Sequence, residues 1–307
     1  MKRGLDILDN LFWTQILLLC LMMVGLICAK TGLIDEKARI SISDLILCVF
    51  LPCTTLSAFL GAGFSELSSL GIIFIISTLN MVICFVLSKY VLYRKAGVDQ
   101  KKVLTYATVI PNASFLGNPI IESIYGLDAL VYSAVYLAPL RVSLWSVGIA
   151  IFSGKKISLK KIAFHPCLVA TYLGILIMVT NFKPPPLVYR LANSLGNCTT
   201  PLSMMVVGSI LGTVKPKHFF SGLTLYFTFA RLIIIPLMVL GFMIIFRPEP
   251  IVTGVSVVLS ATPAPVTGTI LANKYGSDRE LASEIVFTST LFSIVTIPFI
   301  LWLLTFL

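Results

Sequence analysis

Charge is scarce in this chain. Of its 307 residues only 12% are Asp, Glu, Lys or Arg, and thirteen are acidic. A soluble domain carries about 25% to cover its surface, so a water-exposed globular domain is excluded. Histidine is rarer still: His165 and His218 stand apart, each beside a span end, and give no metal pair. The seven cysteines (Cys20, Cys28, Cys48, Cys53, Cys84, Cys167, Cys198) are odd in number and scattered through apolar runs. Without CxxC or Cys/His spacing they suggest neither zinc nor a disulfide framework. HExxH, GxSxG, the P-loop and a GxGxxG after a strand are all missing. An intramembrane enzyme would need a nucleophile with a base, or paired acids, inside the spans, and Glu122 is the only clear deep carboxylate. The expectation is a protein that is not an enzyme and uses no cofactor or metal, with H+ or Na+ as the only candidate coupling ions.

What the chain has in abundance is apolar sequence, 57% of residues, with a mean hydropathy of +0.99. Each bilayer crossing needs about 20 such residues, and there are many such runs. The net charge of +10 is not that of a nucleic-acid binder, because the Lys and Arg residues fall in short clusters between apolar spans. That is how loop charge sets topology. Lys2 and Arg3 ahead of the apolar run 11–29 imitate a secretory signal. Asp6 and Asp9 intervene, however, and Lys30, Lys37 and Arg39 follow, so the run reads as a retained first span.

Punctuating hydropathy with Gly, Pro and charge gives ten spans: 11–29, 42–62, 67–92, 103–124, 129–152, 164–181, 190–213, 219–246, 250–272 and 281–306. Loops after the odd spans hold sixteen Lys or Arg, with Lys89 counted at its span end; the opposite side holds five, Lys2, Arg3, Lys183, Arg190 and Arg247. The odd loops are therefore expected in the cytoplasm and both termini outside it. Lys155, Lys156, Lys160 and Lys161 read as topology determinants touching lipid headgroups. The expected location is the plasma membrane, with the lipid bilayer as surroundings.

A repeat is visible at a spacing of 149 residues, which relates Gly25 to Gly174, Pro52 to Pro201 and Gly63 to Gly212. It divides the chain into one five-helix half over 1–153, a short basic linker over 154–163, and a second half over 164–307. Because five is odd, the halves must be inverted. Inverted repeats with a site at their interface recur among secondary transporters.

The fourth and ninth spans are interrupted. One contains Pro111, Asn112, Ser114, Gly117, Asn118 and Pro119; the other Thr262, Pro263, Pro265, Thr267 and Gly268. Each proline deletes a backbone donor and clashes with the preceding turn. Freed groups are tolerated at membrane depth only against protein or a wet cavity. Asn118-Pro119 reads as a helix restart with an Asn cap and Pro at the first position, and Thr262-Pro263 reads the same way, with Ala264-Pro265 leaving the exact start of the second open. Two half-helix N-termini converging at mid-membrane suit an anion such as a carboxylate. Asn112, Ser114, Asn118, Thr262 and Thr267 supply neutral hydrogen bonds there. Pro-kinked continuous helices are the alternative reading.

Arg141 and Arg231 lie within spans five and eight, where an ionised Arg costs at least about 2.5 kcal/mol. Each is either a counter-ion for an anionic substrate or a structural group holding carbonyls or Glu122. Glu122 itself is either an ion-coupling carboxylate or an interfacial residue near Asp128. Asp44 and Glu284, near cytoplasmic span ends, are expected to be solvated or capping.

The stretch 25–52, the run NASFLGNP at 112–119 and the run ATPAPVTGTILANKYGSDRELASEIVFTSTLFSIVTIP at 261–298 resemble the auxin efflux carrier family, which includes bacterial malonate and malate permeases. The resemblance implies an all-α polytopic membrane protein, ten transmembrane helices as two inverted five-helix repeats, in the fold class of bile acid sodium symporters. It implies a scaffold of helices one, two, six and seven, and a transport domain in which helices four and nine cross at Pro111 and at Pro263 or Pro265. It further implies Asn112 as a substrate contact, a small organic anion as substrate, elevator-type alternating access and a homodimer formed through the scaffold. Only about ten residues join spans five and six, so the chain is similar to the compact bacterial type and auxin itself is not the expected substrate. A sodium-coupled carrier of a larger amphipathic anion and a non-transporting receptor on the same fold are the alternatives.

Overall fold

A computed structural model describes residues 2–61, 67–153, 163–212 and 220–306. Gly63, the lysines of the basic linker and His218 lie outside the described residues. All regular structure among the described residues is helical, as hydrocarbon demands, since a helix satisfies its own backbone. In order these are α1 Lys2–Lys30, α2 Glu36–Leu45, α3 Leu51–Gly61, α4 Leu67–Leu87, α5 Val98–Val109, α6 Asn118–Tyr125, α7 Ala129–Ser143 and α8 Ile149–Ser153. Then follow α9 Pro166–Thr180, α10 Pro186–Gly196, α11 Thr199–Leu211, α12 Gly222–Phe229, α13 Ile235–Phe246, α14 Pro250–Ser260, α15 Thr267–Lys274 and α16 Arg279–Leu304.

Several pairs are one continuous span joined by a π turn. Five described helices are then long and apolar enough to cross a membrane: Glu36–Leu60, Ser68–Leu92, Ala129–Phe152, Gly222–Phe246 and Arg279–Leu304. Ile16–Lys30, Pro166–Thr180 and Pro250–Ser260 are shorter apolar helices.

Three of the five π turns among the described residues have a covalent cause. Ile46–Phe50 precedes Pro52, Ala113–Gly117 precedes Pro119, and Ala230–Ile234 precedes Pro236. In each case the residue four before the proline is the centre of the π turn. A proline cannot bond that carbonyl and its ring presses against it. Widening the turn by one residue relieves the clash without ending the helix.

Span seven differs from its expected form as one uninterrupted helix. It is split at Asn197 and Cys198 into α10 and α11, with the Asn197 N–H still reaching the Asn193 carbonyl at 3.0 Å. Leu187 and Leu191 on α10 are exposed, so α10 presents an apolar face outward, while α11 carries the buried part of the span.

The chain forms two compact units. The first comprises Met1–Gly71, Ser114–Ala138 and Ala163–Thr213; the second comprises Ile72–Ala113, Pro139–Ile162 and Val214–Leu307. Each draws segments from both halves of the sequence.

In the first unit helices touch backbone to backbone. A Cβ on Gly25 of α1 would lie 2.0 Å from the Met205 carbonyl oxygen, and one on Gly208 of α11 would lie 1.8 Å from that of Met22. A Cβ on Gly174 of α9 would meet the Phe59 ring of α3 at 2.3 Å. Small residues allow such approach where helix association depends on van der Waals contact rather than on a hydrophobic drive. The Thr54 hydroxyl adds a tie, 3.1 Å from the Gly196 carbonyl and 2.8 Å from the Thr199 hydroxyl.

In the second unit α12 packs on α16. Ser221 caps α12 through the Thr224 N–H at 3.2 Å, and the Thr224 hydroxyl donates to the Glu284 carboxylate at 3.3 Å. Glu284 is thus 7% exposed, so of the solvated and capping roles expected from its position the solvated one does not apply. Asp44 is exposed.

Candidate substrate site at the interrupted helices

Helix stops at Val109 and at Ser260, so the fourth and ninth spans are both discontinuous at their prolines. Ile110 is extended, with φ −104° and ψ 109°, as the residue before a proline prefers. The restarts differ from the two caps expected. After residues 110–112 helical winding resumes at Ala113 in a π turn, so Asn118 lies within a helical run rather than opening one. Its Oδ1 accepts the Ser133 hydroxyl at 2.5 Å, and no side-chain cap starts α6. Thr262 closes the preceding helix instead of opening the next, donating to the Leu259 carbonyl at 2.8 Å. The ninth span resumes only at Thr267.

Backbone groups in a dry interior require partners, and those of the interruptions supply several to one another. The Asn112 N–H donates to the Pro263 carbonyl at 2.9 Å, so the two breaks meet directly. The Ala264 N–H donates to the Ser289 hydroxyl of α16 at 3.0 Å. The Gly268 N–H returns to the Pro265 carbonyl at 3.0 Å. Pro111, Pro263 and Pro265 have no N–H to satisfy, which is why prolines can occupy these places.

Beside these backbone bonds, two side chains stand out. Asn112 is 5% exposed and its Nδ2 has no hydrogen-bond partner among the described residues. Arg141 is 7% exposed, and neither Nη1 nor Nη2 has one. No carboxylate or carbonyl among the described residues therefore accepts from those Nη atoms. A buried guanidinium in that state lacks the compensation such burial requires, and its fork matches a carboxylate in two parallel bonds. Arg231 is 2% exposed within its π turn.

The second unit holds Pro111, Asn112, Arg141, Thr262, Pro263, Pro265, Thr267 and Gly268; the first holds Ser114, Gly117, Asn118, Pro119 and Glu122. Ser114 and Glu122 are half-buried, and Glu122 offers its backbone carbonyl to Gly126 at 2.9 Å. A surface hollow over Leu176, Ile177, Thr180, Asn181, Phe182 and Lys183 lies at the end of α9, on none of these residues.

Two residues of this region carry no sequence signal. Tyr106 of α5 shares a 2.7 Å hydrogen bond with the Thr267 hydroxyl, and Ser289 holds Ala264. Their partners lie 161 and 25 residues away, so no local pattern announces them.

Comparison with known proteins adds the following. The model of the family described as "Membrane transport protein" matches residues 12–160 and 150–301. A Methanothermobacter thermautotrophicus protein named "Uncharacterized transporter" is 26% identical over 295 residues, covering 94% of this chain and 96% of its own. A Methanocaldococcus jannaschii "Uncharacterized transporter" is 24% identical over 307 residues, covering 94% and 97%. A Rhizobium meliloti protein named "Putative malonate transporter" is 27% identical over 146 residues, covering 47% of this chain and 45% of its own.

Proposed function

The chain belongs to the membrane transport protein family, that of the auxin efflux carriers, and from this we propose that it carries a small mono- or dicarboxylate across the plasma membrane by elevator-type alternating access. The carrying observations are that the two interruptions touch and that buried donors on Asn112 and Arg141 have no partner among the described residues. A membrane protein that keeps a guanidinium fork and an amide without acceptors has donors to offer an arriving carboxylate. The name of the Rhizobium meliloti relative favours dicarboxylates for the first trial.

The proposed architecture is ten spans in two inverted repeats with crossing helices four and nine. Helix positions support it. α2 and α10 begin at 36 and 186, α3 and α11 at 51 and 199, α6 and α15 at 118 and 267, α7 and α16 at 129 and 279. Packing supports it too: shifting by 149 residues carries the contact region of Gly25 and Gly208 onto that of Gly174 and Phe59. Two-fold pseudosymmetry makes this exchange, because the first half's partner in one contact becomes the second half's partner in the other. Asn112 and Arg141 are proposed as substrate contacts, with Ser114 and Asn118 from the fourth span and Thr262 from the ninth. Pro111, Gly117, Pro119, Pro263, Pro265 and Gly268 are the proposed hinge positions and Glu122 the proposed coupling carboxylate for H+ or Na+. The excess of Lys and Arg in the odd loops supports termini outside the cytoplasm, and a homodimer through helices one, two, six and seven completes the proposal.

The test is flux into proteoliposomes holding the purified protein, across a panel of mono- and dicarboxylates, with proton and sodium gradients imposed separately. Saturable uptake of one or more carboxylates, responding to one gradient, is the expected result. Binding without flux would make the chain a receptor, and sodium-dependent uptake limited to large amphipathic anions would favour a symporter of that class.

A further inference from the structure

We infer that Tyr106 is a positioning residue of this site, fixing the separation of the two interruptions by holding Thr267. The inference rests on the transport reading above and reassigns Thr267 from substrate contact to anchor.

Tyr106 sits in the last turn of α5 and is 1% exposed. Its carbonyl accepts the Ile110 N–H at 2.9 Å, the last helical bond before the break. Its hydroxyl shares a 2.7 Å hydrogen bond with that of Thr267, the first residue of α15. The ring is received by two glycines. A Cβ on Gly148 would lie 2.8 Å from ring atom Cε2, and one on Gly268 would lie 3.4 Å from Cδ1 and Cε1. Phe152 meets the ring edge-on with centroids 5.4 Å apart.

The Tyr106–Thr267 bond does not act alone. Six residues on, the Asn112 N–H bonds the Pro263 carbonyl. The two ties pair 106 with 267 and 112 with 263, so they close a loop around both interruptions, with the Asn112 side chain at one corner. A hydroxyl pair between two broken helices, with the Tyr106 side buried and the Thr267 side half-buried, ties both at a set spacing. Losing it leaves the backbone tie alone to set where the Asn112 amide stands. Affinity then falls while the protein remains folded, because the ring still fills the glycine-lined slot.

The test uses the full-length protein in proteoliposomes with the carboxylate that the wild type moves fastest. In Tyr106→Phe the KM is expected to rise about five- to tenfold, the equivalent of one lost hydrogen bond, with Vmax and thermal midpoint near wild type. Thr267→Val should match it, and the double variant should show no further rise, the non-additivity of two groups that act through one bond. Thr267→Ser, which keeps the hydroxyl, should recover most of the affinity lost in Thr267→Val. Wild-type KM in Tyr106→Phe, or a double variant at the product of the singles, overturns the inference. So does a loss confined to thermal midpoint and Vmax, which would make the bond structural. A wild type that moves no carboxylate removes the transport reading and this inference with it, and that control is read before any variant.

Discussion

In the first compact unit, buried polar groups are used for closure. The Thr54 hydroxyl faces a carbonyl and a second hydroxyl, the Ser203 hydroxyl reaches the Phe115 carbonyl at 3.3 Å, and glycines bring α1 against α11 with no room for a side chain. In the second unit the N–H groups of Asn112, Ala264 and Gly268 are partnered, while Nδ2 of Asn112, both Nη atoms of Arg141 and the hydroxyls of Thr228, Ser256 and Thr290 have no partner among the described residues. Unsatisfied buried donors cost stability and persist where they serve something. Under the proposed function, the donors left open in the second unit are the ones an arriving carboxylate would meet, and the ties of the first unit serve packing.

The sharpest break in that comparison is a methyl group at Gly208. Its Cβ would stand 1.8 Å from a backbone oxygen, which cannot swing aside as a side chain can. Gly208→Ala is expected to destabilise by about 3 kcal/mol, the upper end for overpacking, seen as lost monodisperse protein and a lower thermal midpoint. A fully stable variant would mean that α1 and α11 do not touch at this point.

Arg141→Gln should act in the opposite sense on stability. It removes a buried charge whose Nη atoms have no partner among the described residues, so the thermal midpoint without ligand should hold or rise. The KM for the carboxylate should rise roughly tenfold to a hundredfold, the worth of a charge-assisted bond. If the midpoint falls and the KM holds, Arg141 is structural and the contrast between the units weakens.

The smallest effect is expected at Thr54. Thr54→Val deletes one intramembrane hydroxyl tie, for which about 0.6 kcal/mol is typical. The midpoint should drop slightly and transport should be unchanged, since the contact lies in the first unit, and Asn112 and Arg141 lie in the second.

The helical class and both interruptions were legible in the sequence because proline chemistry is local. Pro111 and Pro263 cannot donate, and no neighbour alters that. The restarts were not legible. Asn118 looks like a cap, yet a π turn relieves Pro119 from within the helix and frees the Asn side chain to bond Ser133. Thr262 likewise turns back to Leu259. The split of span seven and the burial of Glu284 were missed for a similar reason: hydropathy averages over a window, whereas Asn197 and the Thr224–Glu284 bond act at single positions. Tyr106 and Ser289 depend on tertiary contacts that no spacing rule contains.

The central claim is that the broken fourth span holds the substrate through Asn112, and the most direct measurement is carboxylate uptake by Asn112→Ala in proteoliposomes, at reconstituted amounts matched to wild type. Loss of saturable uptake with an unchanged thermal midpoint is the predicted result, because the backbone tie to Pro263 survives the substitution. Uptake with wild-type KM and Vmax would contradict the account.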